Sequence, residues 1–274
     1  VTAEPVVAAP RLAWRDGEVR SGSRDVPEET AIAFTFNREA YAVMMATPAD
    51  LADFAIGFSL SERIISDATE IEELEVVQAP HGIELRMWIG AELMDRAAAR
   101  RRRIAGPTGC GLCGLESLEN AMRAAPAVRG GGPVAAEALA GAMRMLAPAQ
   151  ALNRATRAVH AAGFWSPARG LVAVREDVGR HSALDKLAGA LAQAGVDAAE
   201  GCVLMTSRIS VELVQKAAAM GAPVLAAVSA PTALAIRVAE AAGMTLVGVA
   251  RDDGFEVFTH PGRIAMEAAD AVVV

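Results

Sequence analysis

From Leu171 onward the chain alternates short apolar runs with helix-forming runs. No other feature limits the fold as much. Leu171–Val174, Cys202–Met205, Val224–Val228 and Thr245–Val249 read as strands, with helices at Ser182–Leu191, Val211–Met220 and Ala233–Ala242 between them. Strands that are apolar at every position, rather than at every second one, are buried on both faces. The pattern therefore predicts a parallel sheet covered by helices, with ligands at the carboxyl ends of its strands.

The first half reads differently. Residues 1–30 are rich in Pro, Gly, Ser and charge, and suggest an extended, poorly packed arm. Ala31–Phe36 and Tyr41–Met45 flank Asn37-Arg38-Glu39 as a hairpin. Thr47-Pro48-Ala49-Asp50 opens a helix, with Thr47 as N-cap, Pro48 in the first turn and Asp50 as its acid. Leu51, Phe54, Ala55, Phe58 and Ile65 share one face of it. Leu74–Val77 and Ile83–Ile89 are strands, Ala97–Gly109 a basic connector, and a helix runs from near Cys113 to about Met122. Gly130–Pro133 breaks the chain before a helix at Glu137–Leu146. The expected organisation is an arm over 1–27, a small α+β domain over 28–105 and an α/β domain over 106–274.

Hydrophobic residues make up 53% of the 274 and charged residues 22%, and mean hydropathy is +0.30. Such values raise the question of a membrane. The most apolar stretch, Ala217–Ala230, is interrupted by Gly221, Pro223 and Ser229 and falls short of the roughly 20 residues a spanning helix needs. Val1–Arg11 lacks the pattern of a signal peptide. Three cysteines, Cys110, Cys113 and Cys202, make no disulfide framework and suit a reducing compartment. A cytoplasmic protein without a membrane partner is expected. The net charge is −7, with one basic run at Arg100–Arg103, and this balance does not suit a general nucleic-acid binder.

The strongest chemical signal is Thr108-Gly109-Cys110-Gly111-Leu112-Cys113-Gly114. Two thiols three residues apart sit in a glycine-rich turn ahead of a helix. A helix N-terminus and neighbouring arginines both favour thiolate over thiol. Three readings stand: half of a zinc site, which needs two further ligands; a redox pair, whose usual βαβ context is missing; and a sulfur carrier holding a persulfide. A zinc-dependent deaminase also needs His-x-Glu, and none of His81, His160, His181 and His260 supplies it.

Three further clusters fall at strand ends. Arg175–Lys186 includes Arg180 and His181 near a helix start, where phosphate is held; the alternative is a salt-bridged loop. Ser229-Ala230-Pro231-Thr232 is either an anion site or an ordinary helix cap. Val249-Ala250-Arg251-Asp252-Asp253-Gly254 reads by itself as a hairpin loop after the last strand.

Taken together the motifs resemble the formate dehydrogenase accessory sulfurtransferases, the FdhD family. The likeness rests on Ala42–Leu51, Phe54–Glu62, Arg101–Arg103 leading into the Cys-x-x-Cys loop, Glu176–Lys186, Gln215-Lys216, Ala227–Ser229, Thr245–Gly248 and Thr259–Pro261. It spans about residues 28–264. The resemblance implies a cytidine deaminase-like three-layer α/β/α second domain without deaminase chemistry, and a homodimer. It implies a relay of sulfur from a cysteine desulfurase to the molybdenum cofactor of formate dehydrogenase. That cofactor is bis(molybdopterin guanine dinucleotide), bound as substrate, and GDP-like nucleotides are expected to bind too; no catalytic metal is expected. By position, Cys110 takes the persulfide with Cys113 as partner. Val249, Ala250, Arg251, Asp252, Asp253 and Gly254 form the cofactor-binding loop, and Arg180, His181, Ser229 and Thr232 line the nucleotide end. In that loop Arg251 keeps the basic character and Asp252-Asp253 adds negative charge. The alternative from another class is a zinc- or nucleotide-binding module of the same fold without sulfur transfer.

Overall fold

The structure is a computed structural model, and it describes residues 4–101, 124–251 and 253–266. Two compact units emerge, neither continuous in sequence. The first comprises residues 1–123, 150–162 and 175–195; the second comprises 124–149, 163–174 and 196–274.

The first unit opens with a hairpin, β1 (Val6–Arg15) and β2 (Glu18–Pro27). Asp16 and Gly17 both have positive φ, at 51° and 86°, as a two-residue hairpin turn requires. A four-stranded sheet follows in the order β4-β3-β6-β5, from β3 (Thr30–Phe36), β4 (Glu39–Ala46), β5 (Ile71–Ala79) and β6 (Gly82–Ile89). Its period-2 pattern is plain in β6: Ile83, Leu85, Met87 and Ile89 are buried while Glu84, Arg86 and Trp88 face the other way. The apolar face receives α1 (Leu51–Ser61), whose Phe54 meets Phe34 edge-on at 5.0 Å and whose Phe58 stacks on it at 4.0 Å. Leu93, Met94 and Ala97 of α2 (Ala91–Arg101) join the same core. The expected basic connector is thus helical up to Arg101.

One predicted feature is wrong in detail. Thr47 is not the N-cap of α1. That position is Asp50, in left-handed conformation and without a side-chain cap. The Thr47 hydroxyl instead accepts the N–H of Val178, because this stretch is bound to a segment 131 residues later rather than to its own helix.

That segment leads into α5 (Arg180–Gln193), after the short α4 (Ala151–Thr156). Helix α5 lies against α1 at glycine contacts. A methyl group at Gly57 would overlap the carbonyl oxygen of Asp185, and one at Gly189 would overlap that of Asp53. The two backbones touch only because neither residue carries a Cβ.

A six-stranded sheet in the order β13-β12-β11-β10-β8-β9 supplies most of the second unit. Its strands are β8 (His160–Ser166), β9 (Gly170–Asp177), β10 (Cys202–Met205), β11 (Val224–Ala227), β12 (Thr245–Arg251) and β13 (Gly254–Thr259). Strands β10, β11 and β12 are mutually parallel, and β13 pairs antiparallel to β12. The sheet is therefore mixed, and β12 is not its last strand. Every residue of β10 and β11 is buried, as the uninterrupted apolar runs required. Helices α3 (Ala136–Ala149), α6 (Val211–Ala219) and α7 (Ala233–Ala242) complete the unit, with a short parallel pair, β7 (Val134–Ala135) and β14 (Ile264–Ala265). The mixed α/β class expected from the sequence is the one observed.

Among the described residues, no helix is long and apolar enough to cross a membrane.

Candidate functional site

The carboxyl ends of β10, β11 and β12 bring three loops together within the second unit. Residues 206–210 lead from β10 to α6, residues 228–232 from β11 to α7, and Val249 begins the last turn of β12. A bridge joins Ile209 to Pro231, and the Thr232 N–H donates to the Ile209 carbonyl at 3.0 Å. The Val249 N–H reaches the Ser229 carbonyl at 3.4 Å. Gly248 is essential to this closeness: a Cβ there would stand 2.8 Å from Pro231 Cδ and 2.9 Å from the Phe258 ring. Val249 itself has φ of +51°. A β-branched residue in that region is strained, and such strain concentrates at functional sites.

Two helices begin at this edge. Ser210 stands at the N-cap of α6, and its buried hydroxyl makes no hydrogen bond among the described residues. Thr232 caps α7, its hydroxyl accepting the Ala235 N–H at 3.2 Å. Arg208 and Arg251 are exposed. Two helix starts and nearby arginines favour an anion such as a phosphate. Of the residues named from sequence, Ser229, Thr232 and Val249 therefore come together. Ala250 is buried, Arg251 and Asp253 are exposed and Gly254 opens β13. Asp252, Cys110 and Cys113 lie outside the described residues.

The 206–210 loop escaped the sequence reading. Its signal was Thr206-Ser207-Arg208-Ile209-Ser210 placed directly after a buried strand, the same position that singled out Ser229–Thr232.

Arg180 and His181 belong to the other unit. Most of their charged neighbours serve structure there. Lys186 and Asp177 form a fully buried ion pair at 2.6 Å. Lys186 Nζ also donates to the Thr47 carbonyl at 2.8 Å and lies 5.5 Å from the Phe54 ring centre. Asp177 accepts the N–H groups of Thr47 at 3.0 Å and Gly179 at 2.8 Å. Glu176 takes the N–H groups of Leu152 and Asn153, both at 2.8 Å, which satisfies the start of α4. Arg175 pairs with Asp53 at 2.6 Å. His181 is buried in the first turn of α5. Burial, and then the charge of Arg180, hold the pKa of His160 below its ordinary value.

The third cysteine is a core residue. Cys202 is fully buried, and burial pushes its thiol pKa up to about 12. Among the described residues, no three His, Cys, Asp or Glu side chains are grouped to hold a metal ion.

The comparisons agree with one another. The family model described as FdhD/NarQ matches residues 27–265. The sulfur carrier protein FdhD of Agrobacterium fabrum is 53% identical over 257 residues, covering 93% of this chain and 95% of its own length. The protein of the same name from Brucella abortus is 54% identical over 254 residues, 92% and 94% of the two chains. A solved structure described as a formate dehydrogenase accessory protein, from Desulfotalea psychrophila, superposes with a TM-score of 0.76 at 25% identity. It covers 96% of this chain and all of that one. A family-model match over residues 27–265, with identities above one half along nearly the whole chain, places this protein in the FdhD/NarQ family.

Proposed function

We propose that this protein is a sulfur carrier. It takes persulfide sulfur from a cysteine desulfurase onto Cys110 and delivers it to the bis(molybdopterin guanine dinucleotide) cofactor required by formate dehydrogenase, acting as a homodimer. The observation that carries the reading is the 53% identity, over 93% of the chain, to a protein named a sulfur carrier. The Gly-rich Cys110-x-x-Cys113 loop and the three clustered strand-end loops support it.

In the loading step the Cys110 thiolate attacks the outer sulfur of the desulfurase persulfide. A new S–S bond forms on Cys110, the S–S bond of the donor breaks, and the desulfurase cysteine leaves as thiolate. No electrons are gained or lost overall. Cys202 does not compete, since a thiol with a pKa of about 12 is not ionised at neutral pH. The edge formed by residues 206–210, 229–232 and Val249 supports a reading in which it receives the phosphates of the nucleotide end of the cofactor, held as substrate. Arg208 adds a cation there that was not foreseen.

Incubation with a desulfurase and cysteine, followed by mass spectrometry of peptides, tests the loading step. A sulfur adduct on the peptide containing Cys110, lost in Cys110→Ala, is expected. Its absence from wild-type protein defeats the reading, and stoichiometric zinc on Cys110 and Cys113 would replace it with a metal-binding module.

A further inference from the structure

The four-stranded sheet of the first unit packs α1 and α2 on one face only. The strand registers define the other. On it Val43 and Met45 of β4 stand beside Ala33 and Ala31 of β3, and Ala33 stands beside Glu84 of β6. Glu84 and Arg86 in turn face Val77 and Glu75 of β5, and Trp88 faces Glu73. A sheet with one solvated face normally turns polar residues outward. Here the outward positions of β3 and β4 are Ala31, Ala33, Thr35, Ala40, Val43 and Met45, and none is charged. Val43 and Met45 are 57% and 46% exposed. Charge is confined to the β6–β5 side. Glu84 is held by Arg86 at 2.7 Å, while Glu73 and Glu75 are exposed. Three carboxylates against one guanidinium leave that side with a negative surplus.

We infer that this outer face docks a cationic amphipathic helix of a partner protein. Its apolar side lies over Ala31, Ala33, Val43 and Met45, and its basic flank lies along Glu73 and Glu75. The widths match. From β4 to β6 is two strand spacings of about 4.8 Å, or about 10 Å, which is the width of a helix. Helix β5 is not needed for the apolar contact: as the next strand over, it comes under the flank of the helix, where cations meet its carboxylates. The alanines of β3, lower than Val43 and Met45 on one side and Glu84 on the other, form the floor on which the helix rests. Charge selects the occupant. A second copy would bring one negative surplus against another, and an anionic lipid surface or a nucleic acid would be repelled in the same way. The contact spans a few turns of helix, far below a standard interface, so the association is weak and rapidly reversible. This inference is independent of the sulfur-carrier reading.

Methyl-labelled methionine in the full chain tests it by NMR, with the Met45 signal assigned through Met45→Leu. The probe is a synthetic amphipathic Leu/Lys helix, compared with a Leu/Glu helix of the same pattern. The Leu/Lys peptide is expected to shift the Met45 methyl saturably. Met44, which packs inward, and Met145 and Met266, which are 44% and 55% exposed on the other unit, should stay in place. Glu73→Gln/Glu75→Gln, folded by circular dichroism, should weaken binding by about threefold or more. No Met45 shift at millimolar Leu/Lys peptide, equal shifts at Met145 and Met266, an equal effect of the Leu/Glu peptide, or unchanged affinity in the folded double variant would each overturn the inference.

Discussion

Replacing Lys186 by Met removes a buried ammonium and keeps most of the side-chain length. In the wild type its Nζ lies 2.6 Å from Asp177 and 2.8 Å from the Thr47 carbonyl, and both charged side chains are fully buried. After the substitution Asp177 keeps the N–H groups of Thr47 and Gly179 but has no counter-ion. Breaking a buried pair from one side costs about 3–5 kcal/mol, and the two retained donors point to the lower end, about 3 kcal/mol. With a urea slope of about 2–3 kcal/mol/M, the midpoint falls by about 1 M. The pH dependence has a definite sign. Burial raises the carboxyl pKa of Asp177 above its ordinary value, and Lys186, followed by the N–H donors, opposes the rise. Without Lys186 it climbs further. An acid with a higher pKa in the folded state favours folding while protonated, and that contribution is lost as pH rises from the ordinary carboxyl range through the folded pKa. The deficit of Lys186→Met is therefore smallest in acid and grows toward neutrality, by at most about 1.4 kcal/mol per pH unit. Urea unfolding followed by circular dichroism at a series of pH values measures both. A neutral-pH deficit under about 1 kcal/mol, the level of an exposed pair, or one independent of pH, would refute the reasoning.

Two further outcomes follow from the packing. Gly57→Ala drives a methyl into the Asp185 carbonyl and is expected to cost at least about 3 kcal/mol. Gly141→Ala, in α3 with only the Arg144 guanidinium within 4 Å, should stabilise by about 0.5–1 kcal/mol; thermal melts separate the two, and similar shifts for both would be fatal. Cys202 should resist iodoacetamide at mildly alkaline pH in the native protein and react once unfolded. Native alkylation at Cys202, read by peptide mass, would contradict its burial.

What the sequence disclosed depended on the range of the forces involved. Cys202–Met205 and Val224–Ala227 were legible because a strand buried on both faces needs apolar residues throughout. The Ala31–Met45 hairpin was legible from its alternation. The arm was read as extended and poorly packed, with its pairing unseen, because it is rich in Pro, Gly, Ser and charge, although Asp16-Gly17 between Trp14 and Val19 is a hairpin signal in its own right. Strand β13 was missed because Phe255, Val257 and Phe258 follow an acidic turn that looked like the end of the sheet. Thr47 matched a local N-cap pattern, yet its hydroxyl serves Val178, and no local rule reports a partner that far away. The Arg175–Lys186 charges show the same limit in the site. Their position at a strand end suggested ligand binding, while Arg175, Glu176, Asp177 and Lys186 are spent on Asp53, the start of α4 and each other. Ser229 and Thr232 were singled out because strand ends are a topological rule, which needs no knowledge of partners, whereas Val249 came only from the family resemblance, its loop alone reading as a hairpin.

The glycine contact between α1 and α5 has a temporal side. Asp53 and Gln193, hydrogen-bonded to each other, are 140 residues apart. At about 5–20 residues per second, a ribosome takes roughly 7–28 seconds to cover that interval. For that time the nascent chain presents a finished α1 with no α5 to lie on it, and the bare backbone at Gly57 is open to any other close-fitting segment. The first unit therefore cannot close on its helix contact until Arg180–Gln193 has been made.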